Sequence, residues 1–159
     1  MKPSVYLETT IVSYLVGRLN RDLTVAAHQE VTRRWWSERR SDYDLVTSIV
    51  VLDEARKGDP ALAAERLALL EGIVLLDVTS AAFALSQRLV TQHALPSKAE
   101  IDALHIAVAA FHGIGFLTTW NCRHIANAIV LPSVYSLCRQ AGYEPPIVCT
   151  PMYLVEGPP

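Results

Sequence analysis

Residues 5–15 of the chain read VYLETTIVSYL, and this short stretch contains both a change of secondary structure and an unusual charge. Its first residues are apolar and typical of a buried strand, and the residues after Thr10 carry apolar side chains at helical spacing. Glu8 stands between the two patterns. A buried carboxylate without a partner is costly, and the stretch contains no lysine or arginine. The sequence therefore predicts that the partner of Glu8 comes from elsewhere in the chain or is not a side chain.

The composition predicts one folded domain covering residues 1–159. A chain of 17.6 kDa with 51% hydrophobic residues and a mean hydropathy of +0.23 is large and apolar enough to bury a core, which excludes a disordered protein. Its apolar runs are short and interrupted by charges, so we expect no membrane span. The N-terminus shows no apolar signal segment, and we therefore expect a cytoplasmic protein.

Charge and cysteine content narrow the class of protein further. A net charge of −2 and a pI near 6.2 argue against tight nucleic-acid binding by charge alone. Cys122, Cys138 and Cys149 are an odd number of cysteines without a CxxC spacing. This pattern favours reduced thiols in the core over disulfides or a zinc site.

Strand patterns alternate with helix patterns along the whole chain, and the strands are apolar along their length. This order is typical of a parallel sheet with both faces covered. We therefore predict an α/β fold, a three-layer sandwich with a central parallel sheet flanked by helices on both faces. The predicted strands are 4–7, 44–47, 73–76, 116–119 and 147–149, and the predicted helices are 10–16, 23–40, 48–57, 60–71, 79–93, 97–112 and 133–140.

Four polar side chains stand at positions where such a fold would bring them together. Glu8 ends the first strand, Asn121 follows the fourth, Glu54 lies on the helix after the second strand, and Asp102 lies on a helix that is apolar nearly all round. Ligands of open parallel sheets bind outside the carboxyl ends of the strands. Gathered carboxylates favour a hard cation such as Mg²⁺ or Mn²⁺, because the ion offsets their repulsion.

Each of these residues also has a simpler interpretation. Glu8 and Asp102 could stabilise the first turn of a helix through its dipole. Glu54 could be an ordinary solvated acid, and Asn121 a turn residue. The joint pattern favours a site over four independent coincidences.

At these residues the chain resembles the PIN-domain ribonucleases, and within them the VapC-type toxins of toxin–antitoxin pairs. The resemblance covers residues 5 to about 125, and the matching segments are Glu8-Thr9-Thr10, Glu54, the D-A-x-x-x-A pattern of residues 102–107 and the L-x-T-x-[DN] pattern of residues 117–121. The chain departs from the family in carrying Glu8 where the family has Asp, and in carrying Asn121 and His124 where many relatives have acids.

The resemblance implies a PIN-like fold and metal-dependent hydrolysis of single-stranded RNA by in-line attack of water, which leaves 5′-phosphate and 3′-hydroxyl ends. It implies that Glu8, Asp102 and Glu54 hold Mg²⁺ or Mn²⁺ and that Asn121 orients a water or a carboxylate. It also implies that Thr10, His105 and His124 lie next to these residues and help to orient them. For His105, a plain packed histidine is an equally good interpretation.

The resemblance also implies a homodimer and a cognate antitoxin that lays a peptide in a groove near the N-terminal helices. The sequence RRWW at residues 33–36, with Arg39 and Arg40 beyond it, could bind RNA, could bind a protein, or could be a solvated basic helix face with one tryptophan in the core. Two other functions stay open at this point. One is a PIN-like domain that binds RNA or protein without catalysis, and the other is a receiver- or phosphatase-like α/β domain.

Overall fold

A five-stranded parallel sheet forms the centre of the structure, which is a computed structural model that describes residues 1–156. The strands are β1 (Ser4–Leu7), β2 (Asp44–Ser48), β3 (Val74–Leu76), β4 (Phe116–Thr118) and β5 (Ile147–Cys149), in the order β3-β2-β1-β4-β5. The helices are α1 (Thr9–Val16), α2 (Leu23–Glu38), α3 (Ile49–Ala55), α4 (Pro60–Leu70), α5 (Ser80–Thr91), α6 (Glu100–Phe111) and α7 (Leu131–Gln140). The predicted α/β fold with helices on both faces of a parallel sheet is confirmed.

The central strand β1 is buried on both of its faces. Val5, Tyr6 and Leu7 are all 0% exposed, although neighbouring side chains of a strand point to opposite sides of the sheet. β1 pairs with β2 on one side and with β4 on the other. Both faces of the sheet are therefore covered at its centre, and any polar group on β1 has to find its partner inside the protein.

The strand order creates a crevice at the carboxyl end of β1. The chain builds β1, β2 and β3 in one direction across the sheet and then crosses over to place β4 on the other side of β1. The loops that follow β1 and β4 consequently leave the sheet side by side and in opposite directions. Such a switch point is where open α/β sheets bind their ligands.

Helix starts follow local capping preferences in some places and not in others. Asp59 caps α4 by accepting hydrogen bonds from the amides of Ala61 and Leu62, and α4 begins at Pro60, where the predicted helix also begins. Ser97 and Glu100 have the spacing of a capping box, but this box does not form. Ser97–Ala99 forms a 3₁₀ turn, and α6 begins at Glu100 without a side-chain cap.

The basic and aromatic segment of α2 divides between core and surface. Trp35 is 0% exposed and packs in the core, which confirms the interpretation of one anchored tryptophan and removes this ring as a base-stacking surface. Trp36 is half-buried beneath the guanidinium of Arg40, at 4.8 Å from the ring centre. Arg34 pairs with Glu38 on the exposed side of the helix.

The edge strand β3 departs from the expected burial. Val74 is 61% and Leu75 48% exposed, because β3 pairs only with β2 and its outer side is open. Among residues 1–156, no helix combines the length and the apolar character that crossing a membrane requires.

The three thiols should differ sharply in reactivity, because the thiolate is the reacting species. Burial raises the pKa of Cys138 to about 11 and that of Cys149 to about 12, whereas Cys122 is exposed and all three are free thiols. We expect Ellman's reagent at pH 8 to label one thiol rapidly in the folded protein and all three after denaturation. The Cys122→Ser variant should lose the rapid phase, and two rapid thiols in the unmodified protein would contradict this packing.

Candidate active site

Glu8 lies in the crevice at the carboxyl end of β1 and is 4% exposed. Its amide continues the β1–β4 ladder by donating to the carbonyl oxygen of Thr118 at 3.2 Å. One carboxylate oxygen, Oε2, accepts three hydrogen bonds, from the Thr10 amide at 3.1 Å, the Thr10 hydroxyl at 2.5 Å and the Thr119 hydroxyl at 2.7 Å. Glu8 is thus the N-cap of α1, as the simpler interpretation held, and at the same time faces the crevice.

Glu54 approaches the same place from α3. Its Oε2 atom accepts hydrogen bonds from the Thr9 hydroxyl at 2.5 Å and from Nε2 of His105 at 2.8 Å. Burial raises the pKa of Glu54, but the hydrogen bonds from His105 and Thr9 and the charge of Lys57 outweigh this effect and leave the pKa below its usual range. Glu54 is therefore a carboxylate at neutral pH.

His105 is fully enclosed, at 1% exposure, and lies between Glu54 and the core. Its Nδ1 atom lies 2.8 Å from the hydroxyl of Tyr6, and that hydroxyl lies 2.6 Å from Oγ of Ser48. This contact explains why Ser48, the N-cap residue of α3, makes no side-chain capping bond.

Asp102 lies near the start of α6 and uses both of its carboxylate oxygens. Oδ1 accepts from the side-chain amide of Asn121 at 2.9 Å, and Oδ2 lies 2.7 Å from Nδ1 of His124. The Oδ1 atom of Asn121 in turn accepts from the amide of His124 at 3.1 Å. Asn121 and His124, which stand where many PIN relatives have acids, therefore make Asp102 the only carboxylate of this small group.

The segment after β4 connects the side chains around Glu8 with those around Asp102. The Thr119 hydroxyl donates to Glu8 and accepts from the Asn121 amide at 2.9 Å. The Thr10 hydroxyl likewise donates to Glu8 and accepts from the Trp120 amide at 2.8 Å. Two threonine hydroxyls thus fix the end of β4 against the start of α1.

The structure brings together two of the three predicted metal ligands and adds a histidine. Ligand atoms of Glu8, Glu54 and His105 all lie within 4.8 Å of one another, and Asp102 is outside this group. In the described part of the chain, neither Glu8, Glu54 nor Asp102 forms an ion pair with lysine or arginine. A set of carboxylate oxygens without a basic partner fits a hard divalent cation such as Mg²⁺ or Mn²⁺.

Sequence reasoning missed four residues that support the two glutamates directly or through His105. Thr9 and Thr119 donate directly to Glu54 and Glu8, Tyr6 contacts His105, and Ser48 contacts Tyr6. A signal for Tyr6 was available, because a tyrosine in a strand buried on both faces needs a hydrogen-bond partner for its hydroxyl. Which partner it takes depends on tertiary contacts that sequence spacing does not give.

Comparison with known proteins assigns this geometry to a family. The family model described as PIN domain matches residues 5–121, which include Glu8, Glu54, Asp102 and Asn121. No curated protein sequence matches the chain significantly.

Solved structures match the fold at low sequence identity. VapC20 of Mycobacterium tuberculosis, described as a sarcin–ricin loop cleaving toxin, superposes with a TM-score of 0.61 at 19% identity over 78% of this chain and 95% of VapC20. VapBC2 of Rickettsia felis, solved with a DNA fragment from its promoter, gives a TM-score of 0.58 at 14% identity over 92% of this chain and 98% of the matched chain. FitAcB of Neisseria gonorrhoeae gives a TM-score of 0.56 at 16% identity over 94% of this chain and 99% of the matched chain.

The contact between Asp102 and Asn121 generates a prediction about charge. Asn121→Asp replaces a donated hydrogen bond by two facing carboxylates, so we expect the metal-free variant to lose about 1–2 kcal/mol of unfolding free energy. Added Mn²⁺ should restore more stability to this variant than to the unmodified protein. Urea unfolding with and without Mn²⁺ measures both quantities.

Asn20→Asp is the matched control, because Asn20 is exposed and its Oδ1 atom accepts from the Asp22 amide. It should change stability by less than about 0.5 kcal/mol. If Asn121→Asp is as stable as the unmodified protein, the two side chains do not repel each other at residues 102 and 121, and the prediction is wrong.

Proposed function

The chain belongs to the PIN domain family, and from that premise we propose that it is a metal-dependent endoribonuclease that hydrolyses RNA phosphodiester bonds as the toxin of a toxin–antitoxin pair. One observation carries the proposal. Two carboxylates from separate elements, Glu8 and Glu54, meet in the crevice at the switch point of the sheet without a lysine or arginine to neutralise them. The description of VapC20 as a toxin that cleaves the sarcin–ricin loop supports RNA as the substrate class.

Glu8, Glu54 and Asp102 are the residues that we propose to hold Mg²⁺ or Mn²⁺, directly or through water. When bound, such an ion activates water at neutral pH and offsets the charge that develops on the phosphodiester. The two glutamates suit this role, since each uses Oε2 for hydrogen bonds within the protein, and their Oε1 atoms accept none within residues 1–156.

The remaining residues orient the acids. Asn121 and His124 hold Asp102 in one rotamer, so that its carboxylate is directed before any substrate binds. Thr10 holds Glu8 and the backbone of Trp120 together, which fixes the acid of β1 against the loop that follows β4. Because these contacts already hold the acidic side chains in place, the site needs little rearrangement when an ion or a substrate binds.

A groove between α1, α2 and α4 supports a peptide partner. Its volume is about 500 Å³, and its lining combines apolar side chains of all three helices with the charged groups of Arg33 and Glu65. VapC20, described as a toxin, shares this fold, and we propose that a cognate antitoxin binds this chain in the groove. The cytoplasm is the proposed compartment, in keeping with three free thiols.

A homodimer is proposed as the solution state. Val74 and Leu75 on the edge strand β3 and Phe83 on α5 are 48–61% exposed, and an isologous interface would cover such apolar side chains.

A PIN-like domain that binds RNA or protein without catalysis is the alternative, favoured by Glu8 and Asn121, which depart from the acids of the family pattern. The receiver- or phosphatase-like alternative loses its support, because the PIN family model matches the whole segment that carries the site.

Activity and metal binding test the proposal together. We expect the unmodified protein to cleave a generic single-stranded RNA in Mn²⁺, and Glu8→Gln and Asp102→Asn to abolish the cleavage. Mn²⁺ at about 100 times its Kd should raise the Tm of the unmodified protein by roughly 5–10 °C through mass action on the folded state. Asp102→Asn should lose this gain.

Asp53→Asn is the control, because Asp53 neighbours Glu54 in sequence but pairs with Arg56 at 2.6 Å on the exposed side of α3. It should retain both cleavage and the Tm gain. Full activity in both site variants would mean that the site is misplaced, and a metal-induced Tm gain without cleavage would favour the non-catalytic alternative.

Light scattering at micromolar concentration tests the dimer. We expect a mass of twice 17.6 kDa, reduced to one chain by Leu75→Glu. Leu19→Glu is a suitable control, because Leu19 is 63% exposed in the loop after α1. A single-chain mass for the unmodified protein would refute the homodimer.

A further inference from the structure

A line of buried hydrogen bonds runs from the core of the sheet to the proposed cation site. It begins at Ser48 at the end of β2, passes through Tyr6 of β1 and His105 of α6, and ends on Glu54 of α3, with distances of 2.6, 2.8 and 2.8 Å. Ser48 and Tyr6 are 0% and His105 is 1% exposed, so water does not compete for the contacts among these three residues.

The direction of the donors in this line follows from its last member. A carboxylate at Glu54 can only accept, so Nε2 of His105 carries a proton in this contact. Nδ1 of a neutral imidazole then accepts from the Tyr6 hydroxyl, which burial keeps protonated by raising its pKa. The Tyr6 oxygen in turn accepts from Ser48. Every donor has one acceptor in this arrangement.

We propose that His105 is a positioning residue, which donates from Nε2 to Oε2 of Glu54 and so orients that carboxylate for a divalent cation held with Glu8. The inference rests on the proposed function, because it assigns a role toward the same cation. Thr9 donates to the same Oε2 atom, so two donors from different helices fix one oxygen and leave Oε1 without a hydrogen bond to residues 1–156. Tyr6 contacts the imidazole at Nδ1, away from Glu54, and Ser48 contacts Tyr6, which connects the orientation of Glu54 to the sheet.

The first measurement uses the unmodified protein and needs no variant. ¹⁵N resonances of the imidazole, recorded without metal, should show a protonated Nε2 at His105. Addition of Mg²⁺, which is diamagnetic, should leave that proton in place. An unprotonated Nε2, or loss of its proton on metal binding, would overturn the inference, since His105 would then be a direct ligand.

The second measurement is the affinity for Mn²⁺, obtained from the electron paramagnetic resonance signal of the free ion. His105→Leu keeps the volume but removes the donor, and we expect it to weaken Mn²⁺ binding by about 10-fold, as is usual for residues that orient metal ligands. His105→Gln places an amide donor near the position of Nε2 and should recover most of the loss. Tyr6→Phe should give an intermediate loss.

Two matched controls lie away from the site. His112→Gln changes a histidine whose Nε2 atom contacts the Asp77 carbonyl oxygen at 2.8 Å, and Tyr43→Phe removes a buried hydroxyl that donates to the Leu154 carbonyl oxygen at 3.2 Å. Both should bind Mn²⁺ within two-fold of the unmodified protein.

The outcomes separate this inference from the proposed function. An unmodified protein that does not bind Mn²⁺ overturns the proposed function and the inference with it. A protein that binds Mn²⁺, with His105→Leu binding as tightly, overturns only the inference and leaves His105 a packed core residue. If His105→Leu fails to fold, the imidazole resonances and Tyr6→Phe decide the question.

Discussion

The carboxylate of Glu8 is the contact on which the arrangement of the site depends. One of its oxygens, Oε2, accepts hydrogen bonds from the amide and the hydroxyl of Thr10 and from the hydroxyl of Thr119. These bonds connect the end of β1, the first turn of α1 and the segment after β4. These three pieces meet only because β1 and β4 are neighbours in the sheet while being far apart in sequence. The Glu8 carboxylate thus stabilises the start of α1 and holds it against the segment after β4, at the point where the strand order reverses.

Hydrogen-bond donors other than lysine and arginine hold the two glutamates. Hydroxyls and an amide bind Glu8, and a hydroxyl and an imidazole bind Glu54. Hydrogen bonds of this kind stabilise a carboxylate without cancelling its charge as lysine or arginine would. The site therefore keeps a negative potential while its buried oxygens stay satisfied, which is the condition that a cation site has to meet before the ion arrives.

Periodicity and strand-end logic were sufficient to predict the fold, because a sheet buried on both faces leaves a strong apolar signal in each strand. They also placed Glu8 and Asn121 at strand ends, where the structure has them. Sequence spacing did not reveal that Ser97 leaves α6 uncapped, or that Ser48 turns its hydroxyl to Tyr6 instead of capping α3. In both places a tertiary contact or a 3₁₀ turn competes with a local capping preference, and local preferences differ by only about 1 kcal/mol.

The departures from the family pattern divide the site into two halves with different electrostatics. Asn121 and His124 donate to both oxygens of Asp102, so the half of the site on α6 has a single carboxylate with a hydrogen bond on each oxygen. Glu8 and Glu54 make up the other half, and each has one oxygen that takes no hydrogen bond within residues 1–156. A cation gains most where charge is high and oxygens are unoccupied. This distribution favours one divalent ion bound at the glutamate pair, with Asp102 reaching it through water, over two ions shared equally among the three acids.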